Sequence, residues 1–269
     1  MITYQGEQIE VWDAHAHMGA RQQLAIHQVP RIMAFMPDEM IARMDQSGVD
    51  VVTPFAIGAG NKTDYADTNR LIAQAMRDHP GRMVGYMRLN PNYGVEHNRR
   101  LIEEAAAAGL RGIKIHPLIE HCDADDRQLV YPLVEMAEHH KMVMLFHCGM
   151  GDAASPDRVG NVARDFPRVP VIAGHSGLIE GIRRVVEHAK QYPNLHMDSS
   201  GVGWIPYFCE SVVWAGPDRV LYGSDTPFNH MKMEVDKIVV YANAHLKLSV
   251  EDLRLVMGGN LKRLLGISS

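Results

Sequence analysis

Two histidines two residues apart, His15 and His17, close an apolar run, VWDAHAHMG over Val11–Gly19, that reads as a strand. Side chains two apart on a strand point the same way, so Asp13, His15 and His17 are expected on one face. Two neutral imidazoles offered from one strand end form a pincer for zinc, iron, nickel or copper, and such an ion needs two or more further ligands from elsewhere. The competing reading is a strand end that carries two surface histidines. Further residues able to do acid–base or ligand chemistry follow other apolar runs: Arg88, Lys114 with His116, His147, His175, Asp198 to Ser200, and Asp225. Thiolate chemistry is poorly supplied. Cys122, Cys148 and Cys209 are far apart and form no Cys-x-x-Cys pair, which argues against a disulfide framework and a thiolate zinc site.

The elements that must position these residues are legible as apolar runs. Strands are expected over 11–19, 49–55, 82–89, 110–116, 142–147, 169–175, 194–200 and 219–225. Helices with apolar residues at helical spacing lie between them, and three more follow the last strand, the final one capped at Asn260. The Met- and Gln-rich stretch from Arg21 to Met36 has no clear period and is expected to be a loop over the first strand end. Alternation of strand and helix at a repeat of about 30 residues requires a parallel sheet. Eight such units predict an α/β (β/α)8 TIM-like barrel in a single domain over 1–269. The rival, an open doubly wound sheet, would want a glycine-rich phosphate turn after its first strand, where this chain has two histidines. In a barrel the chemistry sits at the C-terminal strand ends. Five histidines and an aspartate at strand ends then share one rim.

Composition narrows the partners. The chain has 269 residues, 46% hydrophobic and 22% charged, and a formal net charge of -5 at pH 7. No broad basic surface follows from that balance, so nucleic acid and anionic membrane are disfavoured and a small molecule is the expected partner. No apolar run reaches the roughly 18 residues of a membrane helix. The opening MITYQGEQIEVW lacks a basic stretch followed by an apolar core. A soluble cytoplasmic protein is expected, with a homodimer as the usual state of a soluble barrel enzyme.

The chain resembles the amidohydrolase superfamily, and within it the amidohydrolase-related group that includes aminocarboxymuconate semialdehyde decarboxylase. The resemblance covers most of the chain. It is carried by Asp13-Ala14-His15-Ala16-His17, Gly112-Ile113-Lys114-Ile115-His116-Pro117, Phe146-His147, Ala173-Gly174-His175-Ser176-Gly177, the run Leu221 to Phe228, and Gly259 to Leu265. The resemblance implies a distorted (β/α)8 barrel with one divalent metal ion, Zn2+ with Mn2+ as the alternative. It assigns His15, His17, His147 and Asp225 as ligands and His175 as the catalytic histidine beside them.

That set makes chemical sense. Three neutral imidazoles and a carboxylate leave the ion positively charged with an open position, which lowers the pKa of bound water toward about 7. Asp225 can bind the ion and accept a proton, and His175 can act as general acid and base. Lys114 and His116 should face the barrel interior together, while Ile113 and Ile115 face the helices. Elsewhere in the superfamily a carboxylated lysine on this strand bridges two metals; one metal is favoured here, with Lys114 and His116 as substrate-binding residues. Arg88 is the candidate to clamp a substrate carboxylate. Hydrolysis of a lactone, ester or amide by metal-activated water is the first expectation for the reaction. Nonoxidative decarboxylation of a small unsaturated or aromatic acid is the alternative, and a catalytically silent metal-binding protein ranks last.

Overall fold

The computed structural model of the protein describes residues 1–23, 31–202 and 205–267. The barrel strands are β1 (Trp12–Gln23), β2 (Val51–Ala56), β3 (Tyr86–Arg88), β4 (Gly112–Ile115), β5 (Val143–His147), β6 (Val171–Gly174), β7 (Leu195–Asp198) and β8 (Val220–Leu221). The last six form one parallel sheet in sequence order, and β1 pairs parallel with β2. Two irregular seams join these sheets into a distorted (β/α)8 barrel. At one seam Val52 N donates to Arg82 O at 3.0 Å and Val84 N to Val52 O at 3.0 Å. At the other, Ala14 N donates to Tyr222 O at 2.9 Å and His17 N to Thr226 O at 2.7 Å. The second seam brings the strand that carries the two histidines against the segment that carries Asp225.

Strands covered on both faces read as continuous apolar runs because water touches neither side. Phe55, Tyr86, Val143, Leu145, Ile172 and Leu221 pack together in one buried cluster inside the barrel. Ile113, Ile115, Met144, Phe146, Val171 and Ala173 belong to the larger core between the sheet and its helices. Lys114 falls between Ile113 and Ile115, so it points inward, as its place in the alternation requires. Gly112 shares that inward face, and the Tyr86 ring fills the space its side chain would take: a Cβ there would lie 2.5 Å from Tyr86 Cδ1.

Several expectations fail locally. The stretch from Arg21 to Met36 is not simply a loop: β1 runs on to Gln23 and pairs antiparallel with Arg31–Phe35. The extension has left the barrel, so its backbone groups need a partner of their own, and the ribbon supplies one. A hairpin of Ile2–Tyr4 and Glu7–Ile9, turned by Gln5 and Gly6 at φ 50 and 85, precedes the barrel. Strand β8 is only Val220–Leu221, because the chain leaves the sheet to reach the β1 seam. Asn260 is not a cap; its Nδ2 donates to Pro217 O at 2.7 Å and Val220 O at 2.9 Å, fastening the final helices under β8. His188 and His196 are buried, and His188 Nε2 bonds Asp157 Oδ1 at 2.8 Å. No described helix is long and apolar enough to cross a membrane.

Gly112→Ala should lower unfolding free energy by about 1–3 kcal/mol, because the new methyl displaces the fixed Tyr86 ring. Chemical denaturation measures it, and an unchanged midpoint would mean that the interior is looser than described.

Candidate active site

The rim where β1 meets the β8 segment is built from a bulge. Between Asp13 and Ala16 the register of β1 advances three residues against two on β2, from Val52 to Pro54. The extra residue breaks the regular alternation expected for Asp13, His15 and His17, and it re-aims His15. The bulged His15 N–H donates to Asp13 Oδ1 at 3.0 Å, and the same oxygen accepts from Ser224 N at 2.9 Å. Asp13 thereby ties β1 to the chain beside Asp225. Asp225 N in turn donates to His15 O at 2.7 Å.

His17 Nε2 lies 3.0 Å and His15 Nε2 3.5 Å from the same oxygen, Asp225 Oδ1. His147 lines the same cavity, its ring 4.7 Å from that of His175, and its buried Nε2 has no hydrogen-bond partner among the described residues. His15, His175 and Asp225 each offer one ligand atom, all within 4.8 Å of one another. Burial, followed by the like charge of neighbouring histidines and Lys114, pushes His147 well below the usual imidazole range. Burial outweighs the Asp225 hydrogen bond and pushes His17 down to about 3. Burial opposes ionisation of Asp225, yet its bond to His17 and the charges of His15 and His17 hold it below the usual carboxylate range. Neutral imidazoles with free lone pairs beside an ionised carboxylate are the donor set a divalent ion takes. The buried Nε2 atoms of His15 and His147, without hydrogen-bond partners among the described residues, fit that ion.

A second carboxylate fixes the histidines. Asp198 is fully buried at the end of β7. Its Oδ2 bonds His15 Nδ1 at 2.8 Å, and its Oδ1 accepts from His175 N at 3.1 Å, Ser200 N at 3.0 Å and Ser200 Oγ at 2.5 Å. Burial pushes the Asp198 pKa up, but His15, His175 and Ser200 outweigh it and hold the group well below the carboxylate range. With Nδ1 of His15 engaged, Nε2 is turned toward Asp225, the arrangement by which a carboxylate orients a metal-binding histidine. His175 starts a tight turn after β6 with φ 61, and its Nδ1 lies 3.0 Å from Ser200 Oγ and 3.1 Å from Ser200 O.

His15, His17, His147, His175 and Asp225 line a cavity of about 230 Å³ together with Gly58, Arg88, Lys114, His116, Ile119 and Phe228. Lys114 is 1% exposed, and its Nζ has no hydrogen-bond partner among the described residues. Nζ lies 4.9 Å from the Phe55 ring centroid. Burial, then the Arg88 charge, pushes the Lys114 pKa down to about 7. Arg88 is also buried, so it is not a surface arginine, and Glu120 engages it through Nε at 3.0 Å and Nη2 at 2.8 Å. His116 stacks on His147 at 3.8 Å between centroids and 8° between planes. Phe228 packs edge-on against His17 at 4.9 Å. Met150 is 70% exposed and away from the cavity wall, and Trp204 lies outside the described residues.

Every site residue expected from sequence reaches this cavity. What sequence reasoning missed is the layer behind them: Asp198 and Ser200 appear there only as a polar strand end, and Glu120 not at all. The signal for Asp198 was its position on the shared rim of the barrel.

An eight-stranded barrel with histidines and aspartates gathered at its C-terminal rim defines a class of barrel enzymes whose catalytic groups come from different strand ends. The chain belongs to the amidohydrolase family, whose model matches residues 12–267. It is similar in structure to 5-carboxyvanillate decarboxylase from Sphingomonas paucimobilis, with a TM-score of 0.77 at 17% identity over 97% of this chain and 100% of that one. The same enzyme from Novosphingobium aromaticivorans, solved with manganese, gives 0.77 at 16% identity over 98% of each chain. A probable 2-pyrone-4,6-dicarboxylic acid hydrolase from Acinetobacter baumannii gives 0.68 at 14% identity over 96% of this chain and 100% of that one. Among curated sequences, the uncharacterized protein y4mH of Sinorhizobium fredii is 31% identical over 33% of this chain; the match spans about a third of its length, 35%.

Asp198→Asn should leave the fold intact and weaken divalent-ion binding by about 10- to 100-fold, the usual cost of losing the carboxylate behind a ligating histidine. Metal titration of the purified protein reads this directly, and an unchanged affinity would remove Asp198 from the site.

Proposed function

We propose that this chain is a metal-dependent nonoxidative decarboxylase of a small unsaturated or aromatic carboxylic acid. The observation that carries the reading is Lys114, a buried amine with no hydrogen-bond partner among the described residues, on the wall of the cavity that holds the histidine and aspartate cluster. A buried unpaired ammonium is costly, and a bound carboxylate is the partner that offsets the cost. On sequence alone hydrolysis comes first. The buried cation and the likeness to two decarboxylases support decarboxylation better.

His15, His17, His147 and Asp225 would hold one divalent ion, zinc or manganese. Such an ion supplies positive charge that binds and polarises an oxygen of the substrate. Lys114 binds the substrate anion within the same cavity, whose wall also includes Phe228 and the stacked His116–His147 pair. His175 delivers the proton that takes the place of carbon dioxide on carbon. Its Nδ1 is engaged by Ser200, so Nε2 is the atom left to act. Burial and the charge of His15 depress its pKa to about 4, and an anion bound beside it raises its proton affinity. The substrate thus helps to charge its own acid.

Hydrolysis is the second reading. It is favoured by the pairing of Arg88 with Glu120, which leaves fewer unpaired cations around the substrate, and by the likeness to the probable pyrone dicarboxylate hydrolase.

Metal-loaded protein incubated with monocyclic acids and lactones should release carbon dioxide from an acid; acid release from a lactone without carbon dioxide would establish hydrolysis instead. Lys114→Met should lower kcat/KM by about 30- to 1,000-fold, equivalent to roughly 2–4 kcal/mol for one member of a buried charge pair. Only the ammonium form of Lys114 attracts an anion, and its pKa in the free protein is about 7. Carboxylate binding should therefore be strongest below that pH and weaken by up to about tenfold per unit above it. A flat affinity profile between pH 6 and about 9 would show that Lys114 does not meet the substrate.

A further inference from the structure

We propose that Glu120 makes this site select acids with one carboxylate over acids with two, by cancelling the charge of Arg88. The inference rests on the reading above that the substrate is a small carboxylate, and it names the class of carboxylate.

Two cationic side chains line the cavity, and the structure treats them differently. Lys114 Nζ has no hydrogen-bond partner among the described residues. Arg88 directs both Nε, at 3.0 Å, and Nη2, at 2.8 Å, onto one oxygen of Glu120, and Nη1 onto Ala56 O at 3.1 Å. Glu120 is fully buried and is held by more than the arginine. Its Oε1 accepts from Tyr65 OH at 2.9 Å, and its Oε2 accepts from His116 N at 2.6 Å. The pair is therefore preformed, and a substrate cannot displace Glu120 from Arg88 without also straining its two further contacts, to Tyr65 and to the His116 amide.

Gly58 keeps Arg88 within reach of the cavity. A Cβ at this position would lie 2.7 Å from Nη2 and 2.9 Å from Nη1, so any side chain would cover the guanidinium. Arg88 is thus both a wall of the cavity and already neutralised. A guanidinium in this state can donate a hydrogen bond to a neutral hydroxyl or carbonyl oxygen. It has no net charge left to offset the desolvation of a second carboxylate, and an uncompensated anion there is penalised. The substrate class that fits is a ring monocarboxylate with a neutral oxygen turned toward Arg88.

The test compares benzoate with isophthalate, which carries one more carboxylate on the same ring, by calorimetric titration of the metal-loaded full chain. Wild type should bind benzoate at least about tenfold more tightly. Glu120→Gln, which unmasks Arg88, should shift the ratio at least about tenfold toward isophthalate, and adding Arg88→Met should restore it. Simple loosening of the fold would weaken both probes and leave their ratio alone. Isophthalate binding as well as benzoate in wild type, or a ratio unmoved in a folded Glu120→Gln protein, overturns the inference and leaves the decarboxylase reading standing. Failure of both probes to bind defeats that reading and the inference with it. Should Glu120→Gln not fold, Arg88→Met combined with Glu120→Leu removes both charges at once: retained benzoate preference supports the proposal, and reversal contradicts it.

Discussion

The active-site rim depends on one buried carboxylate. Asp198 has lost its contact with water, and it can stay ionised because four donors from β1, the turn after β6 and the chain after β7 surround it. Each bond does a separate job. The bond to His15 Nδ1 fixes which nitrogen of that histidine faces Asp225. The bond from the His175 backbone holds the first residue of a tight turn, and the bonds from Ser200 bring a hydroxyl to both His15 and His175. Removing the carboxylate would free three strand ends at once.

Backbone conformation at the site follows the same logic. His175 and Asp225 have φ values of 61 and 58, a region that costs a side-chain-bearing residue on the order of 1–3 kcal/mol when nothing compensates. Both are held by bonds to neighbouring strands. Asp198 accepts from the His175 amide, and the His15 carbonyl accepts from the Asp225 amide at 2.7 Å. Among the non-glycine residues with positive φ are the two that sequence reasoning gives proton chemistry, and Ser176 and Leu178 share the His175 turn at φ 51 and 57. Asp13 completes the frame, since its single oxygen binds amides on both sides of the β1 seam.

Much of this was legible in the sequence, for a physical reason. Strands buried on both faces must be apolar throughout, so a polar residue at the end of such a run stands out, and a barrel places all such ends on one rim. His147, His175, Lys114 and Asp225 were found that way. The bulge at His15 was not, because register depends on the partner strand, and residues 13–17 look the same with or without it. Glu120 was invisible for another reason. It sits at the end of the single turn Pro117–Glu120, and its partner Arg88 is brought to it only when β3 and β4 pair. The ribbon after β1 escaped notice because its composition lacks the alternation of a half-buried strand.

On the function proposed above, one metal ion would sit on His15, His17, His147 and Asp225, with His175 beside it and free to move a proton. Anomalous diffraction from crystals of the zinc- or manganese-loaded protein tests this most directly. The account predicts one peak per chain, bonded to those four residues, with His175 outside bonding distance. A peak ligated by His175, or two peaks bridged by Lys114, would contradict it.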